Sequence, residues 1–170
     1  HMEGYLLFNP PLAEKILEYA KSSDCVISLD LSSFEVVNAC KNLKDLLSEY
    51  VDIVFSNEDE AAAFSGGKDP KSALKELSKL CEIAAVKLGS EGALIKRGSE
   101  LVTVKSIKVK AVDTTGAGDL WAAGFLYGLL SGKSLETSGN YGSILGAEVV
   151  SIFGADIPEN TWKKIKTELV

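Results

Sequence analysis

The sequence predicts an α/β protein with three layers, α/β/α, built around a mostly parallel, Rossmann-like sheet. Three observations carry this. Short apolar runs at 25–30, 51–55 and 83–88 are continuous rather than alternating, as strands buried on both faces are. Segments of helical period separate them, and β-helix-β alternation implies parallel strands with right-handed crossovers. A glycine turn at 116–118 then opens a helix that is apolar nearly all round.

Each element has a local reason. Residues 3–8 form a short apolar run, expected as a strand or its end. Asn9-Pro10-Pro11 opens a helix, with Asn9 as N-cap and proline in the first turn. Leu12, Ile16, Tyr19 and Ala20 follow at helical spacing. Residues 33–50 are expected as one helix, with Val36, Cys40, Leu43 and Leu47 along one side. Ser56-Asn57-Glu58-Asp59-Glu60 begins the next helix as a capping box, which Gly66-Gly67 ends. Asp69-Pro70 starts another. Gly89 and Gly92 bend the chain after Lys87 into a strand at 93–97, and Gly98-Ser99 make a second turn. Residues 101–105 and 107–112 alternate apolar and polar and are expected as strands of antiparallel hairpins. The helix at 117–130 should be buried, with Ala122, Ala123, Gly124 and Gly128 allowing close packing. Gly132 ends it, a long helix runs from 134 to about 153, and Pro158 starts a terminal helix carrying Trp162, Ile165 and Leu169.

Composition bounds the function. The 170 residues suit one domain, with 46% hydrophobic and 25% charged residues. A net charge of −6 argues against a nucleic-acid partner. No apolar run is long enough to span a membrane, and no signal-peptide pattern is present. Cys25, Cys40 and Cys81 lack metal-like spacing and are expected as buried hydrophobes in a reducing cytosol, hence a cytoplasmic protein. His1, the only histidine, looks with Met2 like a tag remnant at 1–2, leaving 3–170 as the domain.

The turn at 116–118 is where chemistry is expected. The first amides of a helix lack internal partners and sit at the positive end of its dipole, so they suit an anion. Asp119 in that turn either stabilises the helix or serves as a base beside the anion. No Lys-Ser or Lys-Thr follows the glycines, which excludes a Walker A loop, and Trp121 stands where a dinucleotide fingerprint needs glycine. Asn57 and Glu60 lie just past the carboxyl end of a strand, where parallel sheets bind ligands.

Asp113-Thr114-Thr115-Gly116-Ala117-Gly118-Asp119 resembles the C-terminal signature of the ribokinase-like carbohydrate kinases, the phosphofructokinase B family. The resemblance implies an ATP-dependent phosphotransfer to a primary hydroxyl of a sugar or nucleoside, that small molecule being the partner. Asp119 is then the general base, and Gly116, Ala117 and Gly118 form an anion hole. Asn57 and Glu60 match the family's Asn-x-x-Glu motif, with Glu60 reaching magnesium through water. Lys87, Gly89 and Gly92 resemble a segment near the nucleotide; for Lys87 a solvated strand-end lysine is the equal alternative. Asn140 resembles an asparagine beside the adenine, or is simply a polar group on a helix face. Asp113 and Thr115 match part of a potassium site; Asp113 as a turn cap is equally supported.

The resemblance covers only the C-terminal part of such a kinase. The N-terminal part, with most sugar contacts and a lid, has no counterpart, so the chain alone is expected to fold, bind nucleotide weakly and not phosphorylate sugar. Exposed apolar surface near residues 5–8 invites self-association or a homodimer. The rival expectation is a nucleotide-binding or interaction module that keeps the fold without phosphotransfer.

Overall fold

The computed structural model describes residues 1–169. They contain six strands: β1 (Met2–Glu3), β2 (Ser28–Asp30), β3 (Ile53–Asn57), β4 (Ile83–Lys87), β5 (Ala93–Arg97) and β6 (Glu100–Val104). Eight α-helices accompany them: α1 (Pro10–Ser22), α2 (Phe34–Ala39), α3 (Leu43–Tyr50), α4 (Glu58–Ser65), α5 (Pro70–Leu77), α6 (Ala117–Leu130), α7 (Leu135–Val150) and α8 (Glu159–Glu168). The strands form one sheet in sequence order, β1 to β6. β1 through β4 are parallel, with Phe55 opposite Asp30 and Asn57 opposite Lys87. The short turns into β5 and β6 cannot carry a parallel crossover, so the sheet is mixed.

The chain divides into two compact units, one of His1–Lys87 with Leu94–Leu101, the other of Leu88–Ala93 with the residues from Val102 onward. In the first, Leu29, Val54, Phe55, Ala84, Ala85 and Val86 are fully buried, which explains their continuous apolar runs. α1 packs with α3, and α4 with α2 and α5. In the second, α6 and α7 lie against each other. A Cβ on Gly124 would meet Tyr141 O at 2.5 Å, so only glycine permits that approach. Tyr141, Leu145, Val149, Ile157, Ile165 and Leu169 form the core there, with Trp162 against it.

Several expectations are corrected. Residues 4–8 form a 3-10 helix, not a strand, and Gly4 lies so close to the end of β2 that a Cβ would meet Leu31 O at 2.6 Å. The expected remnant at 1–2 packs on the fold, which leaves its origin open to either reading: Met2 is a buried member of β1, and His1 Nδ1 is 2.9 Å from Ser28 Oγ. The helix expected at 33–50 is two helices. Cys40 leaves helical backbone after its N–H reaches Val36 O, and a new helix starts after Asn42, which stands at its N-cap position without a side-chain cap bond. Residues 107–112 are not a strand: the Val112 N–H donates to Val150 O at 2.7 Å instead, and alternation without a pairing strand gives no sheet. α6 is buried on one side only. Trp121 and Phe125 stack inside, while Tyr127 is 52% and Leu130 83% exposed, because α7 covers a single face. Cys25 is exposed and Cys40 half-buried; only Cys81 fits the expected burial, and desolvation pushes its thiol up to about 12.

Candidate functional site

The carboxyl ends of β2, β3 and β4 bring Asp30, Asn57 and Lys87 together. Asn57 closes β3 and caps α4. Its Oδ1 accepts the Glu60 N–H at 2.9 Å, its own N–H donates to Glu60 Oε2 at 2.8 Å, and its Nδ2 donates to Glu60 Oε1 at 2.7 Å. Both Glu60 oxygens are therefore held, and the side chain is buried at 2% exposure. Burial pushes its carboxyl up to about 7. The Asn57 N–H and Lys87 work against that rise, and Asp30 and Asp59 add to it. Lys87 Nζ lies 2.6 Å from Asp30 Oδ2, with both side chains largely buried.

Asp30 and its surroundings carry no motif. The only sequence signal was an acid ending an apolar run just before Ser32-Ser33. The Ser32 N–H donates to Asp30 Oδ1 at 3.0 Å, and the Ser32 hydroxyl donates to Glu3 Oε2 at 3.0 Å.

In the second unit, the turn into α6 is organised by Asp113. Its Oδ1 accepts from the Thr115 N–H at 3.0 Å and the Thr115 hydroxyl at 2.8 Å; its Oδ2 accepts the Gly154 N–H at 3.0 Å. Those bonds hold its carboxyl below the usual aspartate value, Thr115 N–H first. What Gly154 offers Asp113 is thus an N–H. Gly116 is the N-cap at φ +75, in the left-handed region where glycine is favoured, and a Cβ there would lie 2.9 Å from Ala155 Cβ. No side chain caps the helix. The Ala117 N–H donates to Thr114 O at 3.2 Å, so one of the three amides assigned to the anion hole serves the turn. Asp119 is exposed in the first turn, and Asn140 is exposed on α7.

Gly92 has a packing reason of its own: at φ +103, a Cβ would fall 1.9 Å from Val104 O. Gly89, at φ +51, faces open space. Leu88 N–H donates to Gly92 O at 2.8 Å and closes the turn between them.

A mixed sheet with polar groups at its parallel carboxyl edge, and a glycine turn opening an apolar helix, defines a ribokinase-like α/β fold. The probable sugar kinase of Rhizobium etli superposes with a TM-score of 0.89 at 36% identity, over 99% of this chain and 53% of that one. The adenosine kinase of Sinorhizobium meliloti gives 0.88 at 34%, with the same coverage. The chain belongs to the pfkB family of carbohydrate kinases, whose profile matches residues 1–162. In sequence it is 32% identical to a 5-dehydro-2-deoxygluconokinase of Listeria monocytogenes over 161 residues, 88% of this chain and 50% of that protein. A sugar kinase of Archaeoglobus fulgidus is 55% identical over 74 residues, 44% of this chain and 30% of that protein. The chain spans about half the length of the structures and of the Listeria protein it matches. Among the described residues, no helix is long and apolar enough to cross a membrane.

Proposed function

We propose that the chain is the nucleotide-binding and catalytic part of a kinase that transfers the terminal phosphoryl group of ATP to a primary hydroxyl of a sugar or nucleoside. The observation that carries this is the turn into α6: a left-handed Gly116, a first helical turn with no side-chain cap, and Asp119 exposed within it. Uncapped first-turn amides fit an anion, and the Gly116 and Gly118 N–H groups would face charge developing on the transferred group. Asp119 would take the hydroxyl proton, which leaves late, once attack has made the alcohol more acidic.

The other unit would hold magnesium and phosphate. Asn57 and Glu60 suit an outer-sphere role: the Glu60 oxygens are already held by Asn57, and magnesium keeps much of its water. Magnesium supplies neutralisation of phosphate charge when bound. Asn140, exposed on α7, is assigned to the base of the nucleotide. For Asp113 the hydrogen bonds to Thr115 and Gly154 favour a turn-holding role over a potassium ligand.

Calorimetric titration with magnesium and a non-hydrolysable ATP analogue tests the binding half of this reading, and saturable heat is expected. A panel of sugars and nucleosides with ATP tests transfer. Whatever transfer appears, in this chain or in a longer protein containing it, should fall by about 10²- to 10⁴-fold in Asp119→Asn while nucleotide affinity stays. Undiminished transfer in that variant rules out Asp119 as the base.

A further inference from the structure

We propose that Asp30 is a positioning residue for the Lys87 ammonium, and that Lys87 so held binds a polyphosphate; this rests on the kinase reading given above.

The sheet register supplies the geometry. Lys87 ends β4 opposite Asn57, while Asp30 ends β2 opposite Phe55. The two strands are separated by β3, about 10 Å at ordinary strand spacing. To reach Asp30 Oδ2 at 2.6 Å, the Lys87 side chain must cross the carboxyl end of β3, beside the Asn57–Glu60 capping box. That edge is where parallel sheets receive ligands. The Lys87 side chain is 14% exposed and Asp30 6%, so Lys87 is the member of the pair with more of its side chain at the surface. An ammonium has three donors, and Asp30 takes one.

Asp30 is itself held by a costly piece of backbone. Ser32 lies at φ +63, and the Ser33 N–H closes a three-residue turn onto Leu31 O at 2.7 Å, a strained form. This turn aims the Ser32 N–H at Asp30 Oδ1, 3.0 Å away. The turn is pinned in its turn: the Ser32 hydroxyl donates to Glu3 Oε2 and accepts the Gly4 N–H at 2.7 Å. Backbone strain of this kind persists where a site needs it. Stability alone gives little reason for the pair, since buried ion pairs are often replaceable by apolar residues without loss. A fixed ammonium at the sheet edge explains both the strain and the pair. Without Asp30, the Lys87 ammonium loses the carboxylate that fixes it.

The test uses the whole chain and tripolyphosphate, followed by calorimetry and by the ¹⁵Nζ signal of Lys87. The Lys87 signal should shift saturably with tripolyphosphate in the unaltered chain, a measurement that needs no variant. Asp30→Asn should weaken binding about tenfold, the loss of one well-placed charged contact. In a Lys87→Met background the same Asp30 change should cost nothing further. An unmoved Lys87 signal at saturation, unchanged or tighter binding in Asp30→Asn, or an Asp30 effect that survives in Lys87→Met each overturns the proposal. If the unaltered chain binds tripolyphosphate and magnesium nucleotide but Asp30→Asn is silent, only this inference fails. If it binds neither, the kinase reading fails with it.

Discussion

At the ends of β2, β3 and β4 the polar groups are side chains bonded to one another, Asp30 to Lys87 and Asn57 to Glu60, with Asp30 and Glu60 buried. At the turn into α6 they are backbone amides and an exposed Asp119, on a loop whose side chains serve only its shape. The first region is assembled from strand ends and carries its desolvation cost in the folded state. The second is set by glycine conformation and one carboxylate, Asp113. The contrast predicts that the first region responds to charge and pH, and the second to backbone substitution.

The largest effect should come from Glu60. Its carboxyl rises from 4.5 to about 7, so its ionisation opposes folding. That penalty is absent below pH 4.5, grows as pH rises and is complete above 7; a shift of this size corresponds to about 3 kcal/mol. Glu60→Gln cannot ionise. Urea unfolding at pH 5 and pH 8 should show the variant gaining on the wild type at the higher pH, less about 1 kcal/mol for a hydrogen bond that an amide cannot make to Asn57. Parallel losses in both proteins would remove the buried charge from the account.

Gly116→Ala should come next. A side chain at φ +75 costs about 1–2 kcal/mol, and the Ala155 Cβ at 2.9 Å must move as well. A drop in melting temperature should accompany faster amide exchange at 113–118, whereas exchange at 57–60 stays as it was. Asn57→Ala should cost about 1 kcal/mol through the lost cap, with the opposite pattern of exchange. If either variant loosens both regions equally, they are not the independently built sites described here.

The smallest effect concerns Asp113. Its carboxyl is held below its ordinary 3.8 by the Thr115 and Gly154 N–H groups. Its contribution is present above that value and is lost as pH falls further, through the folded value. The Gly154 amide resonance should report this at strongly acidic pH and stay constant near neutrality. A Gly154 signal that titrates near neutrality would assign the bond to another group.

Much of this was legible in the sequence because it is local. Asn57 and Glu60 are three residues apart, and the capping box needs nothing else. The helix at 117–130 was bounded correctly because glycines flank it and its apolar run is unbroken. What was missed depends on long-range pairing. Asp30 and Lys87 are 57 residues apart. No spacing rule joins them before the sheet register does. The break at 40–42 was missed because the apolar period continues through it, and the exposure of Tyr127 and Leu130 because composition cannot tell which face a neighbour covers.

The most direct test of the proposed function, in which the turn into α6 receives the phosphates of the nucleotide, is a ¹⁵N NMR titration of the chain with magnesium and a non-hydrolysable ATP analogue. Amide shifts at 116–119 should saturate with the nucleotide. No shift there at saturating nucleotide would contradict the account.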